Sequence, residues 1–209
     1  MKIIDLSQTF EKNMTQFPGT PSLQLRELTS IEESGFQVTD LHAVVHVGTH
    51  CDAPKHFISS GKTIDNLPLK KFVGEAVIVD ATNVLGSALP LSILENVSIQ
   101  KGDIVLLRTN ASQLWNTEKY VEQSFYLSQA LADRLVELEI NALGIDFLSP
   151  DEVTSETSPI HHTLLKNEII LIENLKNLDQ IQKERFFFSA APLKIKNSDG
   201  AFTRAYAIV

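Results

Sequence analysis

The segment His46-Val47-Gly48-Thr49-His50-Cys51-Asp52-Ala53-Pro54-Lys55-His56 places three imidazoles and one carboxylate at even-numbered positions within eleven residues. Groups of this kind ligate metals or transfer protons, and their spacing decides whether they act together. In an extended chain successive side chains point to opposite faces, so residues at i, i+4, i+6 and i+10 share one surface. A helix would align His46 with His50 but swing Asp52 and His56 round the axis, and Gly48 and Pro54 both oppose helix. The cluster is therefore expected on a strand end running into an irregular loop, with the Val-rich Leu41-His42-Ala43-Val44-Val45 leading into it. The same alternation turns Cys51 off the ligand face, as a small buried hydrophobe rather than a nucleophile.

Two later residues can complete a metal site. His161 and Glu173 lie twelve positions apart, separated by a short helical stretch at 162–167 and an apolar strand that ends on Glu173. A carboxylate closing so apolar a strand needs a cation, because an unpaired buried charge is expensive. His46, His50 and His161 with Asp52 and Glu173 form a mixed nitrogen and oxygen set suited to zinc or manganese, too rich in nitrogen for calcium or magnesium. Five such ligands admit two metals sharing one bridging carboxylate. His42 and His162 read as structural or solvent-facing histidines, whereas Asp146 either orients a ligand histidine or caps a turn.

The elements that must position these groups are short. Apolar runs at 76–81, 103–108, 142–146 and 169–172 read as buried strands, and their continuous Val, Ile and Leu implies a sheet covered on both faces. One clear amphipathic helix follows Ser128 as N-cap, with Leu127, Ala130, Leu131, Leu135 and Leu138 at helical spacing. Residues 185–209, which include Phe186-Phe187-Phe188 and Leu193-Lys194-Ile195-Lys196, read as closing strands around an Asp199-Gly200 turn. The expected fold is strand-rich α/β, one domain over 1–209, with no Gly-rich phosphate loop and so no nucleotide signature.

Composition narrows the partners. With 43% hydrophobic and 21% charged residues the chain is ordinary for a globular protein, and no apolar stretch is long enough to span a membrane. A formal charge of −8 without a basic run opposes a nucleic-acid partner, whose phosphates need clustered Lys and Arg. Cys51 is the only cysteine, which excludes an internal disulfide and a multi-cysteine zinc finger. The first residues lack the apolar core and cleavage site of a signal peptide, so the expected location is the cytoplasm and the expected partner a small molecule.

The run from His46 to Phe57 resembles the His-x-Gly-Thr-His-x-Asp-x-Pro-x-His signature of the cyclase family of metal-dependent hydrolases, which groups kynurenine formamidase-like and isatin hydrolase-like enzymes. Asp5-Leu6-Ser7 and Phe17-Pro18-Gly19 resemble that family's opening elements, and Gly144-Ile145-Asp146 with Ser149 and Asp151 its central one. His161 with Leu164-Leu165, then Glu173-Asn174-Leu175, continue the resemblance in order, so nearly the whole chain is covered. One departure is Thr20, where the family often has Asp after Pro-Gly.

The resemblance implies a swivelling β/β/α domain that assembles as a homo-oligomer, dimer or tetramer, around a centre of two zinc or manganese ions per subunit. It assigns His46, His50 and Asp52 to one metal and Asp52, His161 and Glu173 to the second, with Asp52 bridging. His56 becomes the general acid/base and Phe17 a substrate-stacking residue. The implied reaction is hydrolysis of a small amide, foremost an aryl formamide such as N-formylkynurenine; the alternatives are hydrolysis of a cyclic amide, lactone or ester, and a non-catalytic metal-binding protein.

Overall fold

The computed structural model describes residues 1–209. Thirteen strands occur in chain order: β1 Ile3–Asp5, β2 Gln24–Thr29, β3 Val38–His42, β4 His50–Asp52, β5 Val73–Asp80, β6 Ala88–Leu89, β7 Ile104–Arg108, β8 Tyr126–Leu127, β9 Ala142–Ile145, β10 Ile170–Glu173, β11 Arg185–Ser189, β12 Gly200–Phe202 and β13 Tyr206–Ile208. Four α-helices, α1 Ile31–Ser34, α2 Glu118–Glu122, α3 Gln129–Glu137 and α4 Pro159–Lys166, lie between them. Nine strands form one sheet in the order β1-β13-β11-β5-β7-β9-β10-β4-β12. Its centre, β5 through β10, is parallel, as the continuous apolar runs predict.

Alternation along these strands divides the core in two. Ala76, Ile104, Ala142 and Ile170 are in register and pack on one face with Phe186, Phe188 and Ala207. Their neighbours Val77, Val105, Leu143 and Leu171 face the opposite way, against Leu131 and Leu135 of α3 and Ile160 and Leu164 of α4. Ser128 caps α3 as its sequence predicts, its hydroxyl accepting from Leu131 N.

The sheet must curl. β12 and β13 stand seven ladder steps apart, about 34 Å if the sheet were flat. Only residues 203–205 join them, a reach of at most about 14 Å. Hydrogen bonds near the meeting edges hold the curl: Lys176 N donates to Leu6 O at 3.0 Å and Leu6 N to Ala205 O at 2.9 Å. The result is a mixed α/β fold of a large curled sheet with few helices.

Two expectations are corrected. The Val-rich lead-in is not a strand beyond His42, because residues 45–49 bend instead. The closing strands expected over 185–209 form as β11, β12 and β13, but the turn falls at Lys196 and Asn197, with Asn197 at φ 60°, rather than at Asp199-Gly200, and residues 193–196 carry no strand, the chain folding back through a single antiparallel bridge of Pro192 with Thr203. The segment is instead laid across residues 53–64, with Ala53 N donating to Asp199 O and Ile64 N to Ser198 O. β2 and β3, with α1 at their tip, form a separate two-stranded hairpin.

Candidate metal centre and active site

β4 pairs antiparallel with β10, setting His50 opposite Glu173 and Asp52 opposite Leu171. Directly opposed residues share a face, so one sheet surface presents His50, Asp52 and Glu173 together. Cys51 points the other way, fully buried with its Sγ on Ala190 O, as alternation predicts. The face carrying the ligand candidates is the one covered by α4, and that helix delivers His161.

The remaining two histidines of the run arrive by different geometry from the extended one the sequence implies. Gly48 takes φ 61°, a left-handed conformation that bends the chain and turns His46 back toward Asp52. A Cβ there would also stand 2.8 Å from the Phe10 ring. His56 is brought in by the 3₁₀ turn Pro54–His56, and its ring stacks on His46 with centroids 3.8 Å apart. Gly200 permits this approach, since a Cβ on it would lie 2.7 Å from His46 Cε1.

Four contacts define the centre. His50 Nε2 lies 3.3 Å from Asp52 Oδ1 and 3.5 Å from Glu173 Oε2. His161 Nε2 lies 3.5 Å from Glu173 Oε1 and 3.7 Å from Asp52 Oδ2. Each carboxylate thus turns one oxygen to each imidazole. Two ligands about 2.0–2.2 Å from a tetrahedral zinc are separated by about 3.3–3.6 Å, so these spacings match the edges of a coordination shell. Glu173 Oε1 is buried without any hydrogen-bond partner, an orphaned acceptor that a cation would satisfy.

The far nitrogens are fixed as ligation requires. His50 Nδ1 meets the Gly48 carbonyl at 2.9 Å, and since a carbonyl only accepts, Nδ1 carries the proton and Nε2 faces the centre. His161 Nδ1 donates to Asp151 Oδ2 at 2.6 Å, and Asp151 also accepts from Ile160 N and His161 N at the start of α4. His46 differs: Nδ1 lies 2.7 Å from Asp52 Oδ1 and Nε2 2.9 Å from Asp199 Oδ2. Its place on a cation requires surrender of the bond to Asp52.

Protons compensate the buried charge. Burial works against the imidazolium of His161, but the hydrogen bond to Asp151 and the nearby charges of Glu173 and Asp52 raise its pKa to about 10. For His46 burial is likewise overcome, by the charge of Asp52, and its pKa rises to about 9. Burial and the neighbouring charge of Asp52 raise the Glu173 carboxyl above its ordinary range, while His46 and His50 hold Asp52 well below it despite burial. Burial takes His56 down to about 4, leaving it neutral at pH 7. Three sets of side chains are each close enough to hold one ion: His46-His50-Asp52, Asp52-His56-His161 and His46-His56-Asp199. Asp52 belongs to two of them.

A cleft of about 580 Å³ opens over the centre, lined by all six candidate side chains and by Phe17, Thr20, Phe57 and Leu148. Phe17 is 39% exposed at its wall. Sequence reasoning missed Asp199, whose Asp-Gly step carried only a turn signal. Asp146 contacts no histidine; fully buried, it accepts from Thr109 N, Thr109 Oγ1 and Asn110 N, which settles it as a turn cap. His42 and His162 are exposed and join none of the three sets.

The fold is that of a known class of hydrolase. Residues 4–152 match the family model described as putative cyclase. The chain is 32% identical over 203 residues to a kynurenine formamidase of Bacillus cereus, covering 97% of this chain and 95% of the relative. It is 31% identical over 205 residues to that of Bacillus anthracis, covering 98% and 96%. Among solved structures, isatin hydrolase A from Labrenzia aggregata bound to benzyl benzoate superposes with TM-score 0.89 at 25% identity, over 100% of this chain and 93% of that one. A potential metal-dependent hydrolase with cyclase activity superposes with TM-score 0.80 at 29% identity, over 99% and 96%. The chain therefore belongs to the cyclase family, and it is an amidohydrolase.

Proposed function

We propose that this protein hydrolyses an aryl formamide, with N-formylkynurenine as the first substrate to assay, at a centre of two zinc or manganese ions. The observation that carries this reading is the set of 3.3–3.7 Å spacings between two imidazole Nε2 atoms and four carboxylate oxygens, with Glu173 Oε1 otherwise unpartnered. His46, His50 and Asp52 would hold one ion and Asp52, His161 and Glu173 the other. Ions bound there would acidify a water and polarise the scissile carbonyl.

The protein's own groups supply the rest. His56, neutral and in the cleft wall, accepts a proton from the attacking water and returns it to the leaving nitrogen, a service worth about 10²–10⁴ in rate. Phe17 offers a ring face to the substrate aryl group. Metal analysis of the purified protein, with formanilides, isatin and simple lactones as substrates, tests the reading. The structural likeness to isatin hydrolase supports a second one, ring opening of a cyclic amide, which the same panel distinguishes.

We further propose that the protein works in the cytoplasm as a homo-oligomer; no helix is long and apolar enough to cross a membrane. The β2–β3 hairpin supports self-association, exposing Leu28, Ile31, Phe36 and Leu41, an unusual concentration of apolar surface. Light scattering should give the mass of a dimer or tetramer, and a monomer at micromolar concentration would refute it.

A further inference from the structure

We propose that Asn174 and Tyr120 are positioning residues that hold the Gly48 carbonyl, and through it the imidazole of His50, in the orientation that ligates metal. The proposal rests on the reading of His50 as a ligand.

The chain of bonds begins in the core. Tyr120 of α2 is 1% exposed, its ring set edge-on to Trp115 with centroids 5.0 Å apart. Its hydroxyl lies 2.8 Å from Asn174 Oδ1, and Asn174 Nδ2 lies 3.0 Å from Gly48 O. That carbonyl also receives His50 Nδ1 at 2.9 Å. The direction of every bond is forced. A carbonyl only accepts, so the amide NH₂ faces Gly48 and the amide oxygen faces Tyr120, whose hydroxyl must donate. The phenol therefore sets the amide's orientation, and the amide pins the carbonyl.

Gly48 needs this support. Its φ of 61° belongs to a residue with no side chain, so nothing of its own packs to fix its peptide plane. Asn174 grips the bend at a second point as well: its carbonyl accepts from Thr49 Oγ1 at 2.8 Å, and that hydroxyl accepts from Gln8 N at 2.8 Å. Residues 48 and 49 are thus both tied to Asn174, and His50 follows directly. A ligand histidine whose Nδ1 acceptor is free to rotate loses the preset aim of Nε2. Removing such an outer partner weakens metal affinity by about tenfold to a hundredfold.

The test uses Tyr120→Phe, which keeps the ring and its packing, and Asn174→Asp, which keeps the acceptor for Tyr120 and removes the donor to Gly48. The zinc dissociation constant of each metal-free protein is measured by competition with a chromophoric chelator at 25 °C, beside its melting temperature. Leu89→Ala, a buried site in β6, supplies a destabilised control. Because Asn174 and Tyr120 act on the direct partner of His50 from one and two bonds further out, zinc affinity should fall by up to about tenfold in both variants and stay at the wild-type value in the control. A merely structural role lowers the melting temperature and leaves the dissociation constant unchanged; that outcome overturns the proposal. His50→Ala is run in parallel. If it binds zinc as tightly as wild type, the ligand reading itself fails and takes the proposal with it, whereas loss of zinc in His50→Ala with unchanged affinity in the other two overturns the positioning role alone.

Discussion

Asp151→Asn separates the stability supplied by this carboxylate from its effect on the metal centre. Asp151 receives three donors: Ile160 N on Oδ1, and His161 N with His161 Nδ1 on Oδ2. An amide has one acceptor oxygen, so whichever way it turns its NH₂ faces at least one buried donor. With the oxygen in the Oδ2 position both His161 bonds survive as weaker, uncharged ones and Ile160 N is orphaned. An orphaned buried donor costs about 1–3 kcal/mol, and loss of charge assistance adds about 1 kcal/mol, so the variant should lose roughly 2–4 kcal/mol. For a chain of this length that is a fall of about 5–15 °C in melting temperature. The His161 imidazole also loses the charged partner that fixes its Nδ1 proton, and zinc affinity should fall about tenfold to a hundredfold. Differential scanning calorimetry of the metal-free protein and chelator competition read the two effects separately. A melting temperature within about 2 °C of wild type with unchanged zinc affinity would refute the account of Asp151 and leave His161 oriented by something else.

Asp52→Ala should remove most bound metal, because both carboxylate oxygens face imidazoles of the centre; full metal content by atomic emission would eliminate the shared-carboxylate arrangement. His56→Ala should retain its metal while turnover falls by at least about a hundredfold, whereas metal loss equal to that of His50→Ala would make His56 a ligand. Phe17→Ala should raise KM for an aryl formamide more than it lowers kcat, since stacking holds substrate and transition state alike; an unchanged KM removes Phe17 from the substrate site. Burial raises Asp146 to about 6 against the hydrogen bonds of Thr109 and Asn110, so the folded state binds the proton more tightly than the unfolded one. Its ionisation costs stability above pH 6, and stability from this group grows as pH falls from 7 toward 4, by up to roughly 2–3 kcal/mol. Urea titrations across that range should show the trend flattened in Asp146→Asn, and parallel curves for the two proteins would contradict the shift.

The residue types of the candidate centre were legible in the sequence, and the architecture that gathers them was less so, for physical reasons. His50, Cys51 and Asp52 do alternate as a strand, so the face of each was readable from period alone. The same rule put His46 and His56 near the right place by the wrong route: a left-handed glycine and a 3₁₀ turn gather them, and neither has a period. The central strands were legible because burial on both faces leaves unbroken apolar runs. β2 and β3 were not, because a hairpin solvated on both faces, with residues such as Gln24, Arg26 and Glu27, carries no such run. The curl of the sheet has no local signature, arising from a three-residue link between strands that lie far apart in the ladder.

The groups that aim the ligands were the hardest to read, and the reason is general to such sites. A ligand announces itself by type, as an imidazole or carboxylate, but its outer partner need only offer an acceptor at the right place. For His50 that partner is a backbone carbonyl, which every residue possesses. For His46 it is Asp199, 153 positions away, whose own neighbour Gly200 advertised a turn. Only Asp151, ten residues before His161, lay close enough in the chain to enter a motif. The glycines record the same constraint from the other side. Gly48 is required by the bend and Gly200 by the space His46 occupies, so each conserves volume and backbone freedom for an imidazole that another segment orients. The candidate ligand set is thus a property of residue types, whereas its aim is a property of the closed sheet that brings residues 48, 52, 174 and 199 to one place.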